Sequence, residues 1–474
     1  MSPTLPLLFG LRARVRRGPY VAWGLGLAVV KFLVDTGIVY AFARKTWSPL
    51  GYVVPSLVLR REAVGDAPEA MHVLLVLAAL PFLWIGLTMS VRRAADAGLS
   101  PWAGVGFLVP ILNYVTILVL CVVPTRSAAR WDPGGSPHRR GPNADEGPPS
   151  SVELPSGVRA ALLGVLAAIG VGLAMIGISV YGLGLYGTAL FFATPFAMGA
   201  TTAAIYNGEV TRRLRDTLGL TAVATLLTGS ILLLFAIEGI LCLAMALPIA
   251  MALAVVGALV GRAIVTSSRH PAGASFVVAA LPLLAAGEAR FARAPVHDVT
   301  TTIEIDAPPE AVWPHVIGFS DLPEPPRWEY RLGVAYPVRA RIDGQGVGAV
   351  RRCEFSTGPF VEPITVWDPP RRLAFDVVQQ PPSMTEWSPY HDVKAPHLEG
   401  YMKSRGGEFR LVALPGRRTR LEGTTHYSLA IYPDLYWRGW AELLLHGIHT
   451  RVLQHVKRLT EDDVSGAAHP GGNP

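Results

Sequence analysis

The sequence predicts a multi-span α-helical membrane region of about eight spans, followed by a C-terminal α+β domain in which a curved antiparallel sheet surrounds one long terminal helix. Three observations predict it. The 474 residues are 51% hydrophobic and only 16% charged, against about 25% charged in an average soluble domain. Apolar runs of span length occupy much of residues 20–290. From about residue 297 the texture becomes that of alternating strands and ends in Tyr432–Leu459, an amphipathic helix with Trp437, Ala441, Leu444, Ile448, Val452 and Leu459 on one face.

Charge and cysteine usage narrow the class further. A net charge of +7 raises nucleic-acid binding. The arginines, however, stand in short clusters beside apolar runs, as the positive-inside rule expects, and no nucleic-acid motif accompanies them. No nucleic-acid partner is therefore expected. Cys121, Cys242 and Cys353 show neither metal spacing nor a disulfide framework, so packed thiols, no metal and no cofactor are expected. Arg12, Arg14, Arg16 and Arg17 precede an apolar run too long for a signal peptide, and it contains Lys31 and Asp35.

Taken in order, the first spans are expected near 20–43 and 71–90. Lys31 and Asp35, four apart, are placed to pair on one helix face. The run 102–123, broken by Pro110 and Asn113, reads either as one crossing or as a re-entrant hairpin. Residues 126–157, rich in Pro, Gly, Ser and charge, read as a disordered linker. A second helical block over 158–290 parses into spans near 159–180, 185–206, 220–237, 240–260 and 273–289. Arg212, Arg213, Arg215, Arg262 and Arg269 are expected on the cytoplasmic side, which places the chain after residue 290 outside. Glu238, beside Gly239, is expected at a turn at headgroup level.

Two motif sets carry resemblances. Arg92-Arg93-x-x-Asp96-x-Gly98-x-Ser100-x-Trp102, after a basic opening and a span, makes residues 7–125 resemble the DUF805 family of small bacterial inner-membrane domains. Ala94 departs from that pattern, which usually has His or a similar polar residue there. The family implies location rather than chemistry, and Asp96 is expected to cap the next helix or to pair with the arginines. The second set begins with strand Val299–Ile305, followed by the helix start Asp306-Ala-Pro-Pro-Glu310-Ala-Val-Trp313. Further strands are expected at Val347–Phe355, Ile364–Trp367, Arg372–Gln379, Gly407–Ala413 and Arg420–Leu429. With Val366–Phe375, Leu421–Tyr427 and the terminal helix, residues 297–462 resemble the SRPBCC (START-like, polyketide cyclase/dehydrase-like) superfamily and its helix-grip fold. Residues 463–474 read as a disordered tail.

A sheet gripping one helix leaves an interior suited to an apolar ligand with few polar anchors. The residues expected to line it are Trp313, Trp328, Phe355, Trp367, Phe375, Trp387, Phe409, Tyr427, Trp437 and His455. The Pro-rich segment Val378–Tyr401 is a candidate lid. Glu442, His446 and His449 lie within about 60° of one another on the terminal helix, a spacing that offers metal ligands or an acid/base pair. They sit off the apolar face, so a solvated or sheet-edge role is expected. The expectation is a multi-pass protein of the bacterial inner membrane whose C-terminal domain, outside the cytoplasm, holds a hydrophobic, lipid-type small molecule beside membrane lipids. The alternatives are a cyclase- or dehydratase-like enzyme using the same interior, or a membrane scaffold without ligand.

Overall fold

The computed structural model describes residues 4–10, 15–52, 64, 67–108, 112–125, 156–267, 272–323, 328–389, 393 and 395–467. The expected linker lies outside the described residues up to 155, as do Arg12, Arg14 and Arg269. The helices are α1 (Thr4–Phe9), α2 (Arg17–Ala43), α3 (Glu69–Asp96), α4 (Leu112–Val122), α5 (Ser156–Ile176), α6 (Thr194–Asn207), α7 (Leu214–Leu234), α8 (Ile240–Ser267), α9 (Ala272–Phe291), α10 (Pro309–Ile317), α11 (Trp328–Arg331) and α12 (Asp434–Ala467).

Six helices among the described residues are long and apolar enough to cross a membrane: α2, α3, the continuous stretch Ser156–Gly182, Ala189–Asn207, α7 and α8. The other two of the eight expected spans are α9 and the short α4. An eleven-residue α-helix rises about 16 Å, too little for a hydrocarbon core of about 30 Å. Its place bears on the two readings of residues 102–123. The one-turn-per-three-residue helix Pro101–Leu108 packs back along α3, with Gly104 against Val91 and Gly86 against Phe107. Then α4 returns, and Arg93 Nε donates to Leu120 O at 3.1 Å. Pro101–Leu108 and α4 thus both pack along α3, the arrangement that the re-entrant reading expects.

The DUF805-like motif explains that end. Arg93, fully buried, pairs with Asp96 at 3.0 Å, and Thr125 Oγ1 donates to the same carboxylate at 2.8 Å. Asp96 therefore pairs with the motif arginine rather than capping the next helix. Gly98, at φ 72°, ends α3 in a Schellman turn, with Leu99 N bonded to Ala94 O and Gly98 N to Ala95 O, both at 3.0 Å. Lys31 and Asp35 form the expected pair within α2, and Tyr52 donates to Asp35 at 2.6 Å.

In the second block, α6 and α8 meet through small residues. A Cβ at Gly199 would lie 1.9 Å from Ala254 O, and one at Gly257 would lie 1.9 Å from Phe196 O. Contact this close is how membrane helices gain packing where no hydrophobic effect separates helix from lipid. At one end of this block Arg159 pairs with Glu209 at 2.6 Å, and Arg262 donates to Arg212 O at 3.1 Å. The opposite end carries the C-terminal domain.

That domain is a seven-stranded antiparallel sheet, ordered β1-β7-β6-β5-β4-β3-β2. Its strands are β1 (Val296–Ile305), β2 (Pro337–Asp343), β3 (Val350–Phe355), β4 (Gly358–Asp368), β5 (Arg372–Asp376), β6 (Met402–Leu414) and β7 (Arg418–Leu429). Six of these match the expected strands. The seventh, β2, is an edge strand starting at a proline, and its two arginines hide the alternation. The terminal helix α12 lies in the concave face and runs through Ala467, past the helix end expected at Leu459 and the domain end expected at 462. Its later turns bury Val452, Leu453 and Val456 against Ile305, Ile364, Leu373, Leu411 and Leu421. Its first turns bury Trp437, Ala441 and Leu445 in a cluster shared with Leu241 and Met245 of α8.

Candidate functional site

The interior of the sheet is the first candidate. In β3 the inward positions alternate as Arg351, Cys353 and Phe355, and on β4 Glu362 stands directly opposite Arg351. Arg351 and Glu362 form a buried ion pair, and Arg351 Nε donates to Ile317 O at 3.2 Å. The guanidinium lies 5.7, 5.4 and 5.6 Å from the ring centres of Phe319, Phe375 and Phe409, within cation–π range. Burial pushes the Glu362 carboxyl up from its usual range, against the pull of Arg351. Burial also pushes the Cys353 thiol up to about 12, which leaves it a packed thiol rather than a nucleophile.

The expected ligand residues separate into three groups. Trp313, Phe355, Trp367, Phe375 and Phe409 converge on the core between sheet and helix, with Trp313 and Trp367 edge-to-face at 5.7 Å. His455 borders this core, edge-on to Phe319 and 3.5 Å from Ser320 Oγ. Tyr427 and Trp437 are buried instead in the cluster shared with the membrane helices. Trp328 and Trp387 are exposed, at 66% and 57%. Sequence reading missed Arg351 and Glu362. The period of two through Arg351, Cys353 and Phe355 was the available signal.

The Glu442, His446 and His449 trio is not convergent. Glu442 lies 3.5 Å from Arg438 on its own helix, whereas His446 and His449 turn to the sheet threonines. Thr301 Oγ1 lies 2.7 Å from His446 Nδ1, and Thr425 Oγ1 lies 2.8 Å from His449 Nε2. Burial, with His446 adding to it, lowers His449 to about 4, so its imidazole is neutral near pH 7.

A second constellation lies at the seam with the membrane helices. Tyr186 donates to Glu238 Oε1 at 2.6 Å, and Glu238 Oε2 lies 3.1 Å from His397 Nδ1. The other face of that imidazole, Nε2, lies 2.8 Å from Cys242 Sγ and 3.3 Å from a Glu386 oxygen. The segment expected as a lid supplies His397 and Glu386, and Ile240 N at the start of α8 donates to Trp387 O at 3.0 Å. This part of the segment is a strap onto the membrane block. Glu238 lies in the turn between α7 and α8, as expected, and is buried there. An apolar cavity of about 360 Å³ lies elsewhere, between α2, α3 and α4, with Tyr20, Lys31, Phe82 and Phe107 in its wall.

Apolar helices of span length and a curled antiparallel sheet closed by a C-terminal helix define a membrane protein with a domain of the kind suited to a hydrophobic ligand. Comparison with known families agrees with both halves. Residues 8–133 match the family "Protein of unknown function (DUF805)", and residues 296–461 match "Polyketide cyclase / dehydrase and lipid transport". Among solved structures, the chain is similar to the Zhui aromatase/cyclase from a Streptomyces species (19% identity, 36% of this chain and 96% of that one, TM-score 0.26). It is also similar to norcoclaurine synthase from Thalictrum flavum (11% identity, 36% and 98%, TM-score 0.25) and to XoxI from Bacillus cereus (17%, 35% and 96%, TM-score 0.24). No curated protein matches.

Proposed function

We propose that this is a multi-pass protein of the bacterial inner membrane whose helix-grip domain holds a hydrophobic, lipid-type ligand beside the bilayer, outside the cytoplasm. The observation that carries this reading is the double use of α12. Its later turns close the aromatic interior of the sheet, while its first turns sit on the membrane block, with the Trp437 ring 4.8 Å from Phe191 and Tyr436 Oη bonded to Met245 O. A ligand interior held against the spans exchanges most directly with molecules dissolved in the bilayer. The buried Arg351–Glu362 pair supplies one polar anchor in an otherwise aromatic setting. The arginines support this side, since Arg159, Arg212, Arg213, Arg215 and Arg262 lie at the helix ends away from the domain and outnumber Arg290 and Arg293 at the domain's end.

The test uses the full chain purified in a polymer belt without added lipid. Solvent extraction followed by mass spectrometry is expected to recover a co-purifying lipid, and a fluorescent fatty-acid probe is expected to bind saturably. Absence of both overturns the reading.

A further inference from the structure

We propose that Cys242, His397 and Glu386 are the ligands of a single zinc-type divalent ion at the seam between the membrane helices and the helix-grip domain, with Glu238 holding the imidazole in place. The donor atoms of Glu238, Cys242 and His397 lie within 4.8 Å of one another. His397 presents Nε2 to Cys242 Sγ at 2.8 Å and to Glu386 at 3.3 Å, while Nδ1 faces Glu238 at 3.1 Å. A metal-binding imidazole is usually held in this way, one nitrogen on the ion and the other against a carboxylate. Tyr186, donating to Glu238 at 2.6 Å, fixes that carboxylate in turn.

The independent sign of a missing cation is Glu386. Its side chain is fully buried, and neither carboxylate oxygen has a hydrogen bond of proper geometry among the described residues. His397 faces both carboxylates, but one imidazolium balances only one of them, and no lysine or arginine pairs with Glu386 or Glu238 among the described residues. A buried carboxylate left this way is costly unless a positive charge meets it. The backbone is shaped to admit it, because a Cβ at Gly239 would lie 1.9 Å from Glu386 Oε2. Tetrahedral zinc sets its donors roughly 3.5 Å apart, so the 3.3 Å spacing of His397 and Glu386 already fits, whereas the 2.8 Å spacing of Cys242 and His397 has to open as the ion enters. Mixed sulfur, nitrogen and oxygen donors select zinc-like ions over calcium or magnesium, which take oxygen ligands. The thiol proton of Cys242 and the Nε2 proton of His397 leave to solvent as the ion enters. The bound ion then bolts the ligand domain to the spans.

The test uses the full-length protein in detergent, stripped with a chelator and reloaded with Zn²⁺ or Co²⁺. The expected results are one ion per chain by elemental analysis, a thiolate-to-Co²⁺ charge-transfer band and a Zn²⁺-dependent rise in the thermal midpoint. Cys242→Ser is expected to abolish the band and His397→Gln the stoichiometric ion. Glu238→Gln is expected to weaken affinity about 10–100-fold. A wild-type protein that takes up no stoichiometric ion, or a Co²⁺ complex without the thiolate band, overturns the proposal even if a variant fails to fold. Undiminished metal in folded Cys242→Ser and His397→Gln does so equally. None of these readouts depends on ligand binding in the sheet interior.

Discussion

Arg351 and Glu362 stand directly opposite each other on β3 and β4, paired and buried beneath three phenylalanine rings. Removing one partner strands a buried charge. Arg351→Met is therefore expected to destabilise the domain by about 3–5 kcal/mol, and the double variant Arg351→Met/Glu362→Leu to recover most of that loss. Denaturant unfolding of the full chain measures both. If the pair also anchors a ligand, the folded double variant loses binding of the fatty-acid probe.

The aromatic residues make a sharper contrast. Phe375 lies in the interior beside Arg351, whereas Trp328 is largely exposed. Phe375→Ala is expected to weaken probe binding about tenfold, the equivalent of about 1.4 kcal/mol, and Trp328→Ala to leave it unchanged. Equal effects of the two would move the ligand away from the sheet interior.

His449 predicts an acid limb to stability. Its folded value near 4 lies below its ordinary 6.5 because burial and His446 disfavour the imidazolium. The unfolded chain therefore takes up the proton first. The stabilisation is complete above about pH 6.5, declines as pH falls towards 4 and changes no further below that. His449→Gln is expected to flatten this part of the thermal-midpoint profile.

In the membrane block, Gly257 touches the backbone of Phe196 with no room for a side chain. Gly257→Leu is expected to cost about 1–3 kcal/mol or more by forcing α6 and α8 apart, read as a lowered thermal midpoint of the full chain. Gly219, where a Cβ meets nothing within 4 Å, is the control, and Gly219→Ala is expected to leave the midpoint unchanged or raise it.

If residues 102–123 form a re-entrant hairpin, the five helices that follow put the linker and the C-terminal domain on opposite sides. Reporter fusions within 126–155 and at the C-terminus are expected to report cytoplasm and exterior, respectively. The same compartment for both would remove one crossing from the second block.

Much of this architecture is legible in the chain because its signals are local. Apolar runs of span length locate the helices, and the period of two locates six of the seven strands. The Asp306–Trp313 and Arg92–Trp102 motifs point to the two families matched at 296–461 and 8–133. Period alone could also have turned Arg351 inward, but a charged side chain argues against burial until its partner on another strand is known. The trio on the terminal helix shows the limit of a helix wheel, since a shared face brings His446 and His449 to the sheet threonines, as a sheet-edge role expects, without making three side chains converge.

By itself, then, the sequence determined the class of protein, its division into membrane and sheet domains, and the aromatic supply of the interior, because hydrophobicity and periodicity act over a few residues. Only the tertiary structure decided that Pro101–Leu108 and α4 both pack along α3 and that Val378–Tyr401 carries a strap onto the membrane block. It also decided that Tyr186, Glu238, Cys242, Glu386 and His397 meet. Those contacts depend on how two domains dock, and no spacing along the chain records a distance across a seam.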